Sequence, residues 1–149
     1  MPAVQTAYQG QHAAAFAGLV ADSGSTVVIS RVVESPNGMQ FGAVALQGVA
    51  DNGILDVGDV NAGAFRGITV VDPLVRPVNN DAYGLGDTAA VLVKGVVWVT
   101  VAAAVTAGQP VYYSSTGALT NVAASDTAIP NAIFDSSAAA GGLAKVRLN

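Results

Sequence analysis

The amino-acid sequence predicts an all-β protein of one domain, built as a β-sandwich, a jelly roll or a barrel and preceded by an N-terminal arm. Short runs rich in β-branched residues are separated by Gly, Asp, Asn and Pro, a pattern typical of strands and turns. No amphipathic helical period continues beyond residue 21. A chain of 149 residues is also long enough to bury one core of ordinary size.

Eight segments have the composition of strands. They are residues 26–33, 39–46, 65–71, 89–101, 110–114, 118–122, 129–134 and 143–148. The sequence Pro36-Asn37-Gly38 predicts a hairpin turn between the first two, because Pro fixes φ ahead of residues that tolerate positive φ. Asp51-Asn52-Gly53 predicts a further turn without a proline, because Asn and Gly tolerate positive φ.

The segment 89–101 shows the clearest alternation. The face predicted to be buried carries five valines: Val91, Val93, Val97, Val99 and Val101. The opposite face combines Trp98 with Lys94, as an interface or a half-covered surface would. Gly95 interrupts the strand, and a glycine in mid-strand marks either a bulge or a close approach of another backbone.

The first 24 residues lack the strand pattern and are predicted to form an arm that orders against a partner, either as a short helix or extended. Residues 5–11 are polar and uncharged, and residues 12–21 are rich in Ala. Such a segment is too short for a stable isolated helix, and Gly18 weakens it further. Residues 25–149 then form the β-rich domain.

The composition predicts extensive contact with other proteins. Charged residues make up 11% of the chain, against roughly 25% in a typical soluble domain, so much of the surface is expected to be covered by partners. The longest apolar stretch spans residues 95–107, which is shorter than the about 20 residues of a spanning helix. A membrane partner is therefore not expected. No Lys or Arg precedes Arg31, so a signal peptide is not expected either, and the protein is predicted to mature in the cytoplasm.

Nucleic acid and redox chemistry are not expected either. The net charge is −4, and the six basic residues are scattered along the chain, whereas phosphate binding needs clustered Lys and Arg. Cysteine is absent, which removes disulfides and thiolate ligands. Because the chain has few charges and no disulfides, burial of surface between subunits is the favoured additional source of stability. We therefore expect a homo-oligomer, first a trimer and second a dimer.

Catalytic and metal-binding patterns are weak, and no cofactor is predicted. The single histidine, His12, lies in the predicted arm far from any strand-borne carboxylate, so a surface or packing role is favoured over a catalytic or metal-binding one. Asp51, Asp56 and Asp59 place oxygen ligands at short spacing, as a calcium site requires, but they lack the EF-hand order. Turns also use Asp, and this ordinary role is the favoured interpretation.

Six residues are predicted as interface anchors, because Trp, Tyr and Arg dominate binding hot spots. They are Phe16, Phe65, Arg66, Trp98, Tyr112 and Tyr113. A large aromatic side chain in a β domain more often belongs to the core, so its exposure decides between the two roles.

Several segments, in their order along the chain, resemble the small β-rich structural cement proteins of tailed phages, which are related in style to capsid decoration proteins. They are GLVAD (18–22), FGAV (41–44), FRGITV (65–70), GD (86–87) leading into VLVKGVVWV (91–99), AGQPVY (107–112), IPNAIFD (129–135) and GLAKVRL (142–148). The resemblance implies a small homo-oligomer, located in the virion, that binds the major capsid protein on the outside of the shell and clamps neighbouring capsomers.

Two other functions compete with this interpretation. A receptor- or carbohydrate-binding β domain of a phage fibre would use the loop 51–61 as a calcium or sugar site. A trimeric nucleotide-hydrolysing enzyme of the dUTPase type would form its sites between protomers, but the short motifs of that family are not evident in this sequence.

Overall fold

The computed structural model describes residues 15–73 and 82–149, and in these residues it has eleven strands and no helix. The strands are β1 (Val20–Val33), β2 (Met39–Gln40), β3 (Val44–Gln47), β4 (Gly53–Leu55), β5 (Phe65–Thr69), β6 (Ala82–Tyr83), β7 (Thr88–Thr100), β8 (Pro110–Tyr113), β9 (Leu119–Thr120), β10 (Thr127–Phe134) and β11 (Leu143–Leu148). The all-β prediction is confirmed. Nothing in the described ranges forms a helix that could cross a membrane.

Strand pairing closes one part of the molecule into a ring. Nine strands form a sheet in the order β1-β4-β3-β5-β7-β11-β10-β8-β9, and β1 also pairs with β7. The strands β1, β4, β3, β5 and β7 therefore make a closed, barrel-like unit. The other four strands extend from the C-terminal half of β7, and Val101, directly after β7, bridges Leu119 of β9. The strands β2 and β6 pair separately.

The long strand β7 belongs to both parts and changes its facing at Gly95. Leu92 and Val97 lie in the same core cluster, although residues an odd number apart face opposite sides of a regular strand. Gly95 has a φ of 132°, and the register with β1 shifts next to it. A Cβ on Gly95 would lie 3.2 Å from Thr26 Oγ1. The register shift beside Gly95 agrees with the predicted bulge, whereas the atom nearest to the missing Cβ belongs to a side chain and not to a backbone.

The bulge corrects the prediction of one continuous valine face. Val97, Val99 and Val101 are buried in the larger core cluster, whereas Val91 belongs to a second cluster and Val93 is only half-buried. The members of the second cluster come from four strands of the ring and from the β2–β6 pair: Val33, Met39, Ala45, Ile54, Tyr83, Ala89 and Val91. The two clusters show that the protein packs two adjacent cores on opposite faces of the shared strands.

The predicted hairpin at Pro36-Asn37-Gly38 is wrong, although the turn is present. The Gly38 N–H donates to the Ser35 carbonyl across 3.0 Å, but the strands on either side of the turn do not pair with each other. Instead β1 pairs with β4 and β7, while β2 pairs with β6. The long pairing between β1 and β7 outweighs the local hairpin, because it buries more backbone than a two-residue strand can.

The boundary predicted at residue 24 also differs from the structure. Strand β1 begins at Val20, and the Gly18 N–H donates to the Trp98 carbonyl across 2.8 Å. Ala15 is buried. Residues 15–24 are therefore joined to the β domain, because their backbone pairs with β7 although Asp22, Ser23 and Gly24 locally favour a loop. Residues 1–14, His12 included, lie outside the described residues.

Candidate binding surfaces

The six predicted anchors differ in burial. Tyr113 is only 8% exposed and belongs to the larger core cluster, which favours the core role over the role of an interface anchor. Tyr112 is half-buried, because adjacent residues of a strand face opposite sides of the sheet. Phe65 is half-buried and packs against the same core. Arg66 and Trp98 are also half-buried, whereas Phe16 is 52% exposed.

The surroundings of Trp98 include a cation and the N-terminal segment. The Lys145 Nζ lies 5.2 Å from the centre of the indole ring, within the range of a cation–π contact. The backbone of Trp98 is bonded on the other side to residues 18 and 19, and the Leu19 N–H donates to the Phe16 carbonyl. The structure thus brings the chain segments that carry Phe16 and Trp98 together, while Tyr112 lies on β8 at a distance of several strands.

The three aspartates do not converge on a metal site. Asp59 Oδ2 accepts from Ser35 Oγ at 2.6 Å and from the Asp56 N–H at 3.1 Å. Asp51 is exposed in the loop between β3 and β4, and residues 15–73 and 82–149 contain no group of three His, Cys, Asp or Glu placed to hold a metal ion. Asp56 and Asp59 instead organise a turn. Burial, with a smaller repulsion from Asp59, raises the pKa of Asp56.

The most exposed apolar side chains lie on loops at one end of the ring. We call this surface the loop face and define it by Pro36, Val49, Val60 and Leu85. Val49 is 76% exposed, Val60 is 83% exposed and Leu85 is 63% exposed. A groove of about 330 Å³ between the loops is lined by Pro36, Val49, Leu55 and Val60 together with Glu34, Gly58 and Asp59. A second depression on the other side of Pro36 includes Leu85 and Asp56.

Carboxylates hold these loops in place. Glu34 accepts two hydrogen bonds from the β3–β4 loop, from the Val49 N–H at 2.6 Å and from the Ala50 N–H at 3.0 Å. Ser35 accepts from the Asp56 N–H at 2.7 Å while it donates to Asp59. Charge-assisted bonds of this kind are stronger than neutral ones. They order the loops that carry Val49 and Val60.

The comparison with protein families decides the classification. The model of a family described as "Structural cement protein (E217 gp24/Pam3 gp6)" matches residues 4–149, which is nearly the whole chain. The chain belongs to the phage structural cement protein family. The resemblance noted in the sequence is confirmed, and the cement protein is a structural protein of the phage virion that is associated with the capsid and stabilises it.

Solved structures share the fold at low sequence identity. A chain from a structure titled "The capsid of Myoviridae Phage XM1" is 21% identical and has a TM-score of 0.78, with 99% of this chain and 98% of that chain covered. The base of head fiber gp8.5 of bacteriophage phi29 is 14% identical with a TM-score of 0.51, covering 83% of this chain and 94% of that chain. No curated protein matches the cement protein significantly in sequence.

The loop face was not predicted from the sequence, because its residues are neither aromatic nor basic. Val49 follows Gly48, Val60 lies between Asp59 and Asn61, and Leu85 lies between two glycines. A single large apolar residue inside a polar turn was the available signal, since turns run over the surface and expose their side chains.

Proposed function

We propose that the cement protein binds the outer surface of the assembled capsid as a homo-oligomer, with a trimer as the first expectation and a dimer as the second. In this proposal it clamps neighbouring capsomers together against the pressure of the packaged DNA. Its role is structural and not catalytic. Family membership supports the capsid association. The exposed apolar side chains of the protein support binding through the burial of a large area.

The observation that carries the proposal is the exposure of large apolar side chains on a weakly charged protein. Eight such side chains are exposed in the described part of the chain. An ion pair in the same part joins Arg147 and Asp135 at 3.2 Å. An exposed pair of this kind contributes little to stability. Apolar contact with partners removes the exposed side chains from water, and the protein is therefore expected to bind through many modest contacts over a large area.

Binding of this kind stabilises the shell by mass action. A protein that binds the assembled shell better than separated subunits shifts the equilibrium toward the shell, and each occupied site adds its contribution. Because apolar burial changes little with ionic strength, binding should persist at moderate salt. Five predicted anchors keep some exposure and are proposed to contribute to contacts with copies or with capsid subunits: Phe16, Phe65, Arg66, Trp98 and Tyr112.

The test is addition of purified protein to fully assembled, DNA-filled particles that lack it. Co-sedimentation should show saturable binding, which requires sites on the outside of the closed shell, and most of the binding should survive moderate salt. The same protein after irreversible unfolding is the control. Binding only during assembly, and none to closed particles, would contradict the proposal for the outer surface.

A receptor-binding function is the second candidate. Its support is the likeness of the fold to the base of a phage head fiber, which is weaker than the likeness to the capsid chain. Saturable binding of the free protein to host cells, combined with no binding to particles, would favour it.

A further inference from the structure

The loop face combines exposure, shape and charge in a way that identifies a partner. We infer that the cement protein docks on the capsid through the loop face, and that the groove between Val49 and Val60 receives an apolar side chain of the shell protein flanked by Lys or Arg. The inference rests on the proposed function and specifies which surface performs it and what that surface recognises.

The loop face holds the most exposed apolar side chains of the described chain. Val49, Val60 and Leu85 account for three of the eight exposed large apolar side chains in the described chain, and they are the three most exposed of that set. Scattered single apolar residues need no explanation, but an apolar surface rimmed by polar groups marks an interaction site. Here the rim consists of carboxylates, and the apolar residues lie on neighbouring loops.

The shape of the groove limits what can enter it. Its volume of about 330 Å³ lies at the lower end of the about 300–1,000 Å³ of small-molecule pockets. Its lining by Pro36, Leu55 and the two valines suits an apolar side chain. Hydrogen bonds from the β3–β4 loop to Glu34 fix one wall. A wall that is already ordered loses little conformational entropy when a partner binds.

Charge determines what surrounds the entering side chain. Glu34 and Asp59 line the groove, Asp56 lines the neighbouring depression, and Asp51 belongs to the same loop as Val49. No Lys or Arg is present among the described residues that line either depression. The loop face therefore favours a partner with positive charge around an apolar centre and disfavours nucleic acid.

A second copy of the chain fits this surface poorly. Of its described cations, Arg147 is paired with Asp135 and Lys145 lies over Trp98. Arg31 and Arg66 are half-buried. Lys94 is exposed. Among its described cations a copy therefore offers mainly Lys94 to a rim of several carboxylates, whereas the shell protein is the partner that the proposed function supplies. The shell protein is the occupant that the charge favours.

Two variants test the inference independently. The double variant Val49→Ser with Val60→Ser removes the apolar walls at strongly exposed positions, so folding should be unchanged. The variant Asp51→Lys reverses one charge on the same loop. The matched controls are Val122→Ser, an exposed valine beside β9, and Asp22→Lys, an exposed carboxylate on β1.

The measurement is the affinity of each purified variant for particles that lack the cement protein, with the melting temperature and the oligomeric mass of the free variants recorded in parallel. The double serine variant should bind at least about tenfold more weakly, because each valine that is buried contributes on the order of 1 kcal/mol. Asp51→Lys should bind more weakly at low salt, and the difference should shrink at high salt. The controls should bind like the natural protein.

The outcomes separate the inference from the proposed function. If the natural protein binds and both loop-face variants bind equally well, the inference is overturned and the proposed function remains. If the double serine variant changes its oligomeric mass, the loop face joins copies of the chain and the inference is again overturned. If the natural protein does not bind particles, the proposed function fails and the inference fails with it.

Discussion

Gly67 on β5 allows the five-stranded ring to close, and we expect its replacement by Ala to destabilise the protein severely. Gly67 pairs with Ala45 next to a register shift between β3 and β5. Its φ is 156°, a conformation that residues with side chains rarely adopt. A Cβ at this position would overlap the Leu92 carbonyl oxygen and lie 2.6 Å from Val91 Cγ1. Both obstacles belong to β7, the strand that the two parts of the molecule share.

The magnitude follows from two separate costs. Backbone strain of this kind costs about 1–3 kcal/mol, and overpacking a filled core costs about 1–3 kcal/mol. Together they lower the free energy of unfolding by about 4 kcal/mol, a large part of the about 5–15 kcal/mol that stabilises a typical domain. At about 2–4 °C per kcal/mol for a chain of this size, the melting temperature should fall by about 8–16 °C.

The matched control is Gly108→Ala. Gly108 also has a positive φ, 92°, but a Cβ there meets nothing within 4 Å, so only the strain of about 1–3 kcal/mol remains. Chemical denaturation of both variants at one protomer concentration isolates the steric cost, since oligomerisation makes stability depend on concentration. A loss for Gly67→Ala no larger than that for Gly108→Ala would refute the reasoning.

Three further predictions concern ionisation, burial and assembly. Because burial raises the pKa of Asp56 above its ordinary 3.8, folding favours its protonated form, and stability is lost as the pH rises through that raised pKa. Asp56→Asn should therefore melt higher than the natural protein at neutral pH, with the difference vanishing below pH 3.8, and equal melting at both pH values would contradict this. Tyr113→Ala should lower the free energy of unfolding by about 3 kcal/mol and Tyr112→Ala by less than about 1 kcal/mol, and denaturation curves that coincide would show the burial to be wrong. Light scattering at micromolar concentration should return a multiple of 14.8 kDa, and the monomer mass alone would contradict the homo-oligomer.

The sequence predicted the longer strands because their local pattern agrees with their tertiary environment. The bounds predicted for β11, residues 143–148, are those observed. The strands β4 and β6 contain three and two residues, too few for a compositional signal. The start of β1 was missed because Asp22, Ser23 and Gly24 favour a loop locally, whereas pairing with β7 incorporates them into a strand. Closure of the ring depends on such long-range pairing, which local composition does not encode.

The exposure of the predicted anchors did not follow from the sequence, because residue type alone does not determine exposure. Tyr112 and Tyr113 are adjacent on β8, so alternation requires that at most one of them faces the core. The sequence could not say which, because the direction depends on where β10 and β9 pair. Val49, Val60 and Leu85 carried no aromatic or basic signal and became candidates only when the ring placed their loops together.

The central claim, that this protein stabilises a capsid shell, is tested most directly by heat-triggered DNA release. Release is measured from particles that contain the protein, from particles that lack it, and from the latter after purified protein has been added back. The particles that lack the protein should release their DNA at a lower temperature, and added protein should restore the higher temperature. Equal release temperatures in all three samples would contradict the account.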